Sequence, residues 1–249
     1  MSPFLFVTDL DNTLVGDDEA LFTLNDKLSQ HRQEYGTKIV YATGRSPELY
    51  RLLKTEKSLL EPDALICSVG TEIYLNGSDT PDSGWSTKIA QGWNRDSIVA
   101  ASAHFADLVP QPDSEQRSFK VSFFLTQEVA SEVIPQLESL LKNQGLDVKL
   151  IYSTGQDLDI LPRNSDKGLA VQFLRQQWEM SPEQTVVCGD SGNDVALFSS
   201  GQERGVVVGN ASKELLEWHH ANPVDYHYLA QAACAGGILE GLHYFGFLG

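Results

Sequence analysis

The apolar run Phe4-Leu5-Phe6-Val7 breaks off into Thr8-Asp9-Leu10-Asp11-Asn12-Thr13, so a strand-like segment ends in two carboxylates two residues apart. Side chains alternate along an extended chain, which puts Asp9 and Asp11 on the same side of the strand's carboxyl end. Such a pair can hold one hard divalent cation while one carboxylate attacks and the other exchanges protons. A calcium loop uses a similar acidic string, but it needs Gly at its sixth place and Glu at its twelfth. Counted from Asp9, those places hold Leu14 and Ala20. Acidic residues also begin ordinary turns, so the rest of the chain must decide.

Strand-like and helix-like patterns then alternate. Asp17 or Asp18 can cap a helix that carries Leu21, Leu24 and Leu28 and stops near Gly36. Lys38-Ile39-Val40-Tyr41-Ala42 reads as a second strand. Thr43-Gly44-Arg45-Ser46-Pro47 turns into a helix, with Ser46 as N-cap, Pro47 in the first turn and Leu49, Leu52 and Leu53 as its buried stripe. Residues 64–69 form a third strand, followed by Thr71-Glu72-Ile73-Tyr74-Leu75 and the turn Asn76-Gly77. This alternation predicts an α/β fold, a Rossmann-like and mainly parallel sheet with helices on both faces.

From about Asp79 the pattern changes. A polar stretch leads to a helix around residues 89–105, a strand over 119–124, a helix near 128–143 stopped by Gly145, and a strand over 148–152. These read as an inserted α+β module. From Leu161 the first pattern returns, with a helix over 167–178, a strand over 185–188, another turn and helix, a strand over 205–208 and a short helix near Leu215. The expected organisation is a core split in sequence, residues 1–79 and 160–249, around a module of residues 80–159.

Charge and cysteines narrow the function classes. With 249 residues, 41% of them apolar, the chain can bury a substantial core. Against 34 acidic residues stand 18 basic ones, a formal charge of −16 that would repel a nucleic-acid backbone. Cys67, Cys188 and Cys234 are odd in number and unpaired in spacing, which indicates neither a disulfide framework nor a zinc knuckle. Cys67 and Cys188 lie in apolar runs as small hydrophobes. His219 and His220 are adjacent and point apart on a helix, so they suggest no zinc site. No secretory leader is visible and no apolar run approaches the roughly 20 residues needed to span a bilayer. The expectation is a cytoplasmic protein that engages neither membrane nor nucleic acid.

In an open parallel sheet, ligands lie beyond the carboxyl ends of the strands. Four stations fall there. Asp9 and Asp11 are the first. Thr43-Gly44-Arg45 offers a hydroxyl, backbone amides at a helix start and a guanidinium to phosphate oxygens. Lys167 sits at a helix beginning, where a cation is unfavourable unless an anion lies beside it. Gly189-Asp190-Ser191-Gly192-Asn193-Asp194 follows an apolar strand; Asp190 can ligate a metal, while Asn193 and Asp194 can orient its waters or the lysine.

With these stations in this order, the chain resembles the haloacid-dehalogenase-like phosphatases. The motifs that carry the likeness are Asp9-Leu10-Asp11-Asn12-Thr13, Thr43, Lys167 and Gly189 through Asp194. The middle module is similar to the cap of that superfamily's sugar-phosphatase branch. More narrowly, Ala42-Thr43-Gly44-Arg45, Val69-Gly70-Thr71-Glu72-Ile73-Tyr74, Phe119-Lys120-Val121-Ser122 and Leu158-Asp159-Ile160-Leu161-Pro162 resemble segments of cyanobacterial-type sucrose-6-phosphate phosphatases. The resemblance implies an enzyme that releases phosphate from sucrose 6-phosphate through an aspartyl-phosphate intermediate. Asp9 would be nucleophile and Asp11 acid and base. Mg²⁺ would be held by Asp9, Asp11 through its backbone carbonyl, and Asp190. Thr43 and Lys167 would complete the phosphate cradle. It also implies sugar recognition by Gly70, Glu72, Lys120 and Asp157, a monomer, and association with sucrose-phosphate synthase as a further expectation. Trp85, Trp93 and Trp178 can stack on sugars or serve packing alone.

Two rivals use similar parts. A phospho-acceptor signalling module shares the acidic cluster, hydroxyl and lysine, but gives no reason for Asp11 or for a large cap. A non-catalytic partner of a sugar-phosphate synthase would not require Asp9, Asp11, Lys167, Asp190 and Asp194 together. Within the enzyme class the alternative substrates are trehalose- and mannosylfructose-phosphate.

Overall fold

The computed structural model describes residues 2–249. In chain order the elements are β1 (Leu5–Thr8), α1 (Asp18–Tyr35), β2 (Lys38–Ala42), α2 (Pro47–Glu56), β3 (Ala64–Cys67), β4 (Glu72–Leu75), α3 (Ser83–Ile89) and α4 (Arg95–Ser102). There follow β5 (Val109–Pro110), β6 (Val121–Phe124), α5 (Gln127–Asn143), β7 (Val148–Ser153), β8 (Asp157–Pro162) and α6 (Lys167–Gln177). The chain continues through β9 (Thr185–Gly189), α7 (Val195–Ser199), β10 (Arg204–Val207), α8 (Lys213–Ala221), β11 (His227–Leu229) and α9 (Cys234–Tyr244).

The larger sheet has the order β11-β10-β9-β1-β2-β3-β4 and is parallel except for the β3–β4 hairpin. β1 lies at its centre, which explains a run that is apolar at every position: a parallel strand covered by helices buries both faces. Phe4 and Phe6 face one layer with Leu21, Leu24 and Leu28 of α1, Tyr50 and Leu53 of α2, and Ile238 and Leu242 of α9. Leu5 and Val7 face the other, with Val171 and Leu174 of α6, Phe198 of α7 and Leu215 of α8. Trp85 and Ile89 of α3 belong to this second layer, although they fall inside the span read as the inserted module.

The smaller sheet has the order β5-β6-β8-β7 and is antiparallel. Here side chains alternate. Val121, Phe123, Leu158 and Ile160 face the helices α4 and α5, packing with Ile98, Val133 and Leu137. Lys120, Ser122, Asp157 and Asp159 take the opposite face, and Ser122 Oγ donates to Asp159 Oδ1 at 2.6 Å. The period of two therefore makes a dry face for the module's own core and a polar face that turns to the larger sheet.

The expected caps are present. Asp17 accepts from the amides of Glu19 and Ala20, and Gly36 closes α1 at φ 81°. Ser46 caps α2 with Pro47 in its first turn. Three expectations need correction. The buried side of α2 is Pro47, Tyr50 and Leu53, while Leu52 is 58% exposed, because the helix lies on the sheet one residue round from the leucine stripe. The helix expected around 89–105 is α4 alone, starting only at Arg95; Ile89 ends the separate helix α3, Gly92 with φ 76° breaks the chain between them, and the Asn94 side chain restarts it by accepting from the Ser97 amide. The strands β5, β8 and β11 and the helix α9 were not anticipated. None of the tryptophans named as sugar platforms lines the cavity described below. The Trp85 indole donates to the Gly70 carbonyl, Trp93 donates to the Ser118 carbonyl, and Trp178 packs on the larger sheet's core.

Candidate active site

Adjacent parallel strands bring the stations together. The Asp9 amide donates to the Cys188 carbonyl at 3.0 Å, tying the ends of β1 and β9, and Asp190 follows directly from β9. Thr13 Oγ1 donates to Asp190 Oδ1 at 2.9 Å. Lys167, the first residue of α6, is fully buried and donates to Asp9 Oδ1 at 2.7 Å and to Asp194 Oδ1 at 2.6 Å. Those two carboxylates are the anions that justify a lysine at a helix N-terminus. Asp166 caps the same helix through the Leu169 amide and is paired with Lys149 of β7. Asp194 Oδ2 accepts from the amides of Asp190 and Ser191, each at 3.1 Å. Gly189 is required by this approach, since a Cβ there would lie 2.6 Å from Asp194 Cβ.

Oxygens of Asp9, Asp190 and Asp194 lie within 4.8 Å of one another. Burial, opposed by Lys167 and reinforced by the neighbouring carboxylates, raises Asp9 well above the ordinary carboxylate value. Burial and then Asp194 raise Asp190 to about 7. Lys167 rises despite its burial because Asp194 and Asp9 favour its charged form. Three buried carboxylates thus face one ammonium. An all-oxygen donor set with uncompensated negative charge fits a hard divalent cation such as Mg²⁺.

Asp11 stands apart from that cluster. Its carboxylate accepts from Arg45 Nε and Arg45 Nη2, both at 2.7 Å, and remains about half exposed. Thr43 Oγ1 is turned to the Arg45 amide at 3.1 Å, holding the loop at the start of α2. Ser68, Val69 and Gly70 then take three successive positive φ angles of 54°, 59° and 97°. For a β-branched valine that conformation is strained. It is over-determined here: a Cβ on Gly70 would sit 2.1 Å from the Asp166 carbonyl carbon, so this loop presses on the backbone that presents Lys167.

Above the cluster lies a cavity of about 250 Å³. Asp9, Asp11, Gly44, Arg45, Val69, Asp190 and Asn193 line its core side, and Gln111, Glu115, Lys120, Asp157 and Asp159 line the side of the smaller sheet. Lys120 is 2% exposed and is paired with Glu115 at 3.2 Å and Asp159 at 3.5 Å. Gln111 Nε2 donates to Asp157 Oδ1 at 2.8 Å. Asn193 Oδ1 is buried without a partner among the described residues.

Of the sequence-predicted residues, Asp9, Asp11, Gly44, Arg45, Lys120, Asp157, Asp190 and Asn193 meet at the cavity. Thr43, Lys167 and Asp194 support it from behind. Gly70 packs on the Asp166–Lys167 backbone, and Glu72 lies off the cavity, paired with Arg117 at 3.0 Å. Sequence reasoning missed Gln111, Glu115 and Asp159. Asp159 was findable: Asp157-Leu158-Asp159-Ile160 alternates, which puts both aspartates on one face. Gln111 and Glu115 come from irregular chain with no periodic signal. Cys67 and Cys188 are buried and burial pushes both thiols up, as inert core residues require.

Comparison with known proteins agrees with this geometry. Residues 2–246 match the family model described as Sucrose-6F-phosphate phosphohydrolase. A probable sucrose-phosphatase of Arabidopsis thaliana is 42% identical over 97% of this chain and 59% of its own length. The chain thus spans about three fifths of the length of the plant relatives it matches. A mannosylfructose-phosphate phosphatase of Agrobacterium fabrum is 31% identical over 97% of this chain and 96% of its own. The crystal structure of the Synechocystis sucrose-phosphatase, in complex with sucrose and phosphate, superposes with a TM-score of 0.92 at 42% identity, over 99% of each chain. With the four stations in order at the carboxyl ends of the sheet and the family pattern running from end to end, the chain belongs to the sucrose-6F-phosphate phosphohydrolase family.

Proposed function

We propose that this chain hydrolyses sucrose 6-phosphate to sucrose and phosphate, using Mg²⁺ and a transient aspartyl phosphate on Asp9. The observation that carries the reading is a single cavity with two unlike ends. At one end lie buried Asp9, its lysine and Asp190; at the other lie Gln111, Glu115, Lys120, Asp157 and Asp159, a donor and acceptor lining suited to sugar hydroxyls. The sucrose and phosphate bound by the Synechocystis relative support the same assignment. The reading takes residues 1–79 and 160–249 as the phosphatase core and 80–159 as the substrate-specificity cap.

Asp9 forms a bond to phosphorus as the bond from phosphorus to the sugar oxygen breaks. Asp11 delivers the proton that oxygen needs, then takes one from the water that attacks phosphorus and frees Asp9 and phosphate. Both Asp11 oxygens accept from Arg45, so donation to the leaving oxygen requires Arg45 to exchange a bond. An incoming phosphate offers the guanidinium that alternative anion. Lys167 holds Asp9 oriented, and Asp194 holds Lys167. Asp9, Asp190 and the backbone carbonyl of Asp11 would hold Mg²⁺, which when bound neutralises charge on the phosphoryl oxygens. A cytoplasmic setting suits three free cysteines, and a monomer able to associate with sucrose-phosphate synthase completes the reading.

Mannosylfructose-phosphate is the second candidate, favoured by the Agrobacterium relative matched along nearly its whole length. Phosphate release from sucrose 6-phosphate, mannosylfructose-phosphate, trehalose 6-phosphate and p-nitrophenyl phosphate, assayed with Mg²⁺, separates them. The highest kcat/KM is expected for sucrose 6-phosphate. A higher value for either other disaccharide phosphate would reassign the substrate.

A further inference from the structure

We infer that Arg117 is a positioning residue that locks the cap's sugar-recognition lysine onto the core. The inference rests on the sugar-phosphatase reading and adds a residue to it. Arg117 belongs to the cap, yet its guanidinium reaches across to two core acids. Nε donates to Glu72 Oε1 at 3.0 Å and Nη2 to Glu72 Oε2 at 3.2 Å, while Nη1 donates to Glu48 Oε2 at 3.2 Å. The Glu72 side chain is only 9% exposed and also accepts from the Tyr74 hydroxyl at 2.9 Å. A two-pronged Arg–carboxylate pair of this burial fixes orientation as well as distance.

The backbone of Arg117 is equally constrained. Its amide donates to the Lys120 carbonyl at 3.0 Å, and the Lys120 amide donates back to the Arg117 carbonyl at 3.3 Å. Arg95 Nε donates to that same carbonyl at 3.0 Å. One tight turn therefore carries the core clasp at one end and Lys120 at the other. On the core side, only Thr71 separates Glu72 from the Ser68–Gly70 loop that lines the cavity with Val69 and presses Gly70 on the backbone before Lys167. The clasp residues Arg117, Glu72 and Glu48 stand outside the cavity lining, yet they join its sugar-binding and phosphate-binding ends. Breaking it lets the cap spend less time in the arrangement that meets both ends of the substrate, which lowers apparent affinity in proportion.

The test is Arg117→Met, compared with Glu72→Gln and the double variant. Hydrogen–deuterium exchange of the ligand-free protein should show faster exchange in the segment holding the Lys120 amide, with the β1 and β9 segments unchanged. In kinetics, KM for sucrose 6-phosphate should rise about tenfold, with kcat and the hydrolysis of p-nitrophenyl phosphate changing about twofold or less. The double variant should lose little beyond Arg117→Met alone. Unchanged exchange at the Lys120 segment, additive losses in the double variant, or equal losses on both substrates would overturn the inference. Wild-type protein that exchanges as expected but does not prefer sucrose 6-phosphate would instead overturn the substrate reading, leaving the clasp standing.

Discussion

Lys167→Met tests the central electrostatic arrangement, because it keeps an unbranched side chain in the site and removes the ammonium together with its hydrogen bonds to Asp9 and Asp194. In the wild type Lys167 lies fully buried between Asp9 and Asp194, at 2.7 Å and 2.6 Å. Removing one partner of a buried ion pair leaves uncompensated charge in a medium of low polarity and costs about 3–5 kcal/mol. The pH dependence has a definite sign. Lys167 has a folded value raised above its ordinary one, so its contribution is complete below about pH 10 and is lost only at strongly alkaline pH. It is charged throughout the pH 5 to 8 window. Asp9 is also raised, mainly by burial, and Lys167 is what opposes the rise. An acid raised on folding gives stability that is present below its unfolded value and lost as pH climbs through the folded one. Without the lysine, that loss becomes larger. Urea denaturation in the presence of a chelator should therefore show a deficit of about 3 kcal/mol or more at pH 8 that shrinks at pH 5. A deficit below about 1 kcal/mol at pH 8, or one equal at both pH values, would refute the account.

Four further outcomes follow from the same structure. Asp9→Asn should abolish turnover while keeping the fold, since an amide oxygen can still accept from Lys167 but cannot attack phosphorus; residual phosphatase activity in a pure preparation would reject the covalent step. Because Asp190 is raised to about 7 from 3.8, the metal-free protein should lose up to about 4 kcal/mol as pH rises from 4 through 7. Mg²⁺ should accordingly raise the melting temperature more at pH 8 than at pH 5, and an equal shift at both would count against Asp190 as a ligand. Lys120→Ala should cost about tenfold or more in kcat/KM for sucrose 6-phosphate and less for p-nitrophenyl phosphate, so matching losses would make Lys120 structural. Gly70→Ala combines φ 97° with a Cβ placed 2.1 Å from the Asp166 carbonyl carbon and should cost about 3 kcal/mol or more in thermal denaturation; a change within about 0.5 kcal/mol would show that the loop relaxes freely.

Much of the fold was legible because local physics and tertiary structure agree. An unbroken apolar run from Phe4 to Val7, helices capped by Asp17 and Ser46, and glycine at the end of α1 each state their own conformation, whatever packs on them later. The order of the stations was legible too, since a parallel sheet sends every strand's carboxyl end to one edge and so gathers Asp9, Thr43 and Asp190 without further information. The rotation of α2 was not, because Leu49, Leu52, Leu53 and Tyr50 offer more apolar surface than one face can bury, and only the sheet beneath selects among them.

At the site, residue types and spacing determined which chemistry is possible: acids at a strand end, a lysine at a helix start, an acid-rich glycine turn. Which groups touch was decided by the tertiary structure. Lys167 reaches Asp9 from 158 residues away and Asp194 from 27, while Asp11 is held by Arg45 rather than by the carboxylate cluster. Glu72, a candidate for sugar binding by family resemblance, is paired with Arg117 of the other module. Such pairings depend on how the two sheets meet, and a side chain's own sequence surroundings carry no record of the partner that arrives from another element. The physical reason is that short-range chemistry is written residue by residue, whereas charge compensation is a property of the packed whole.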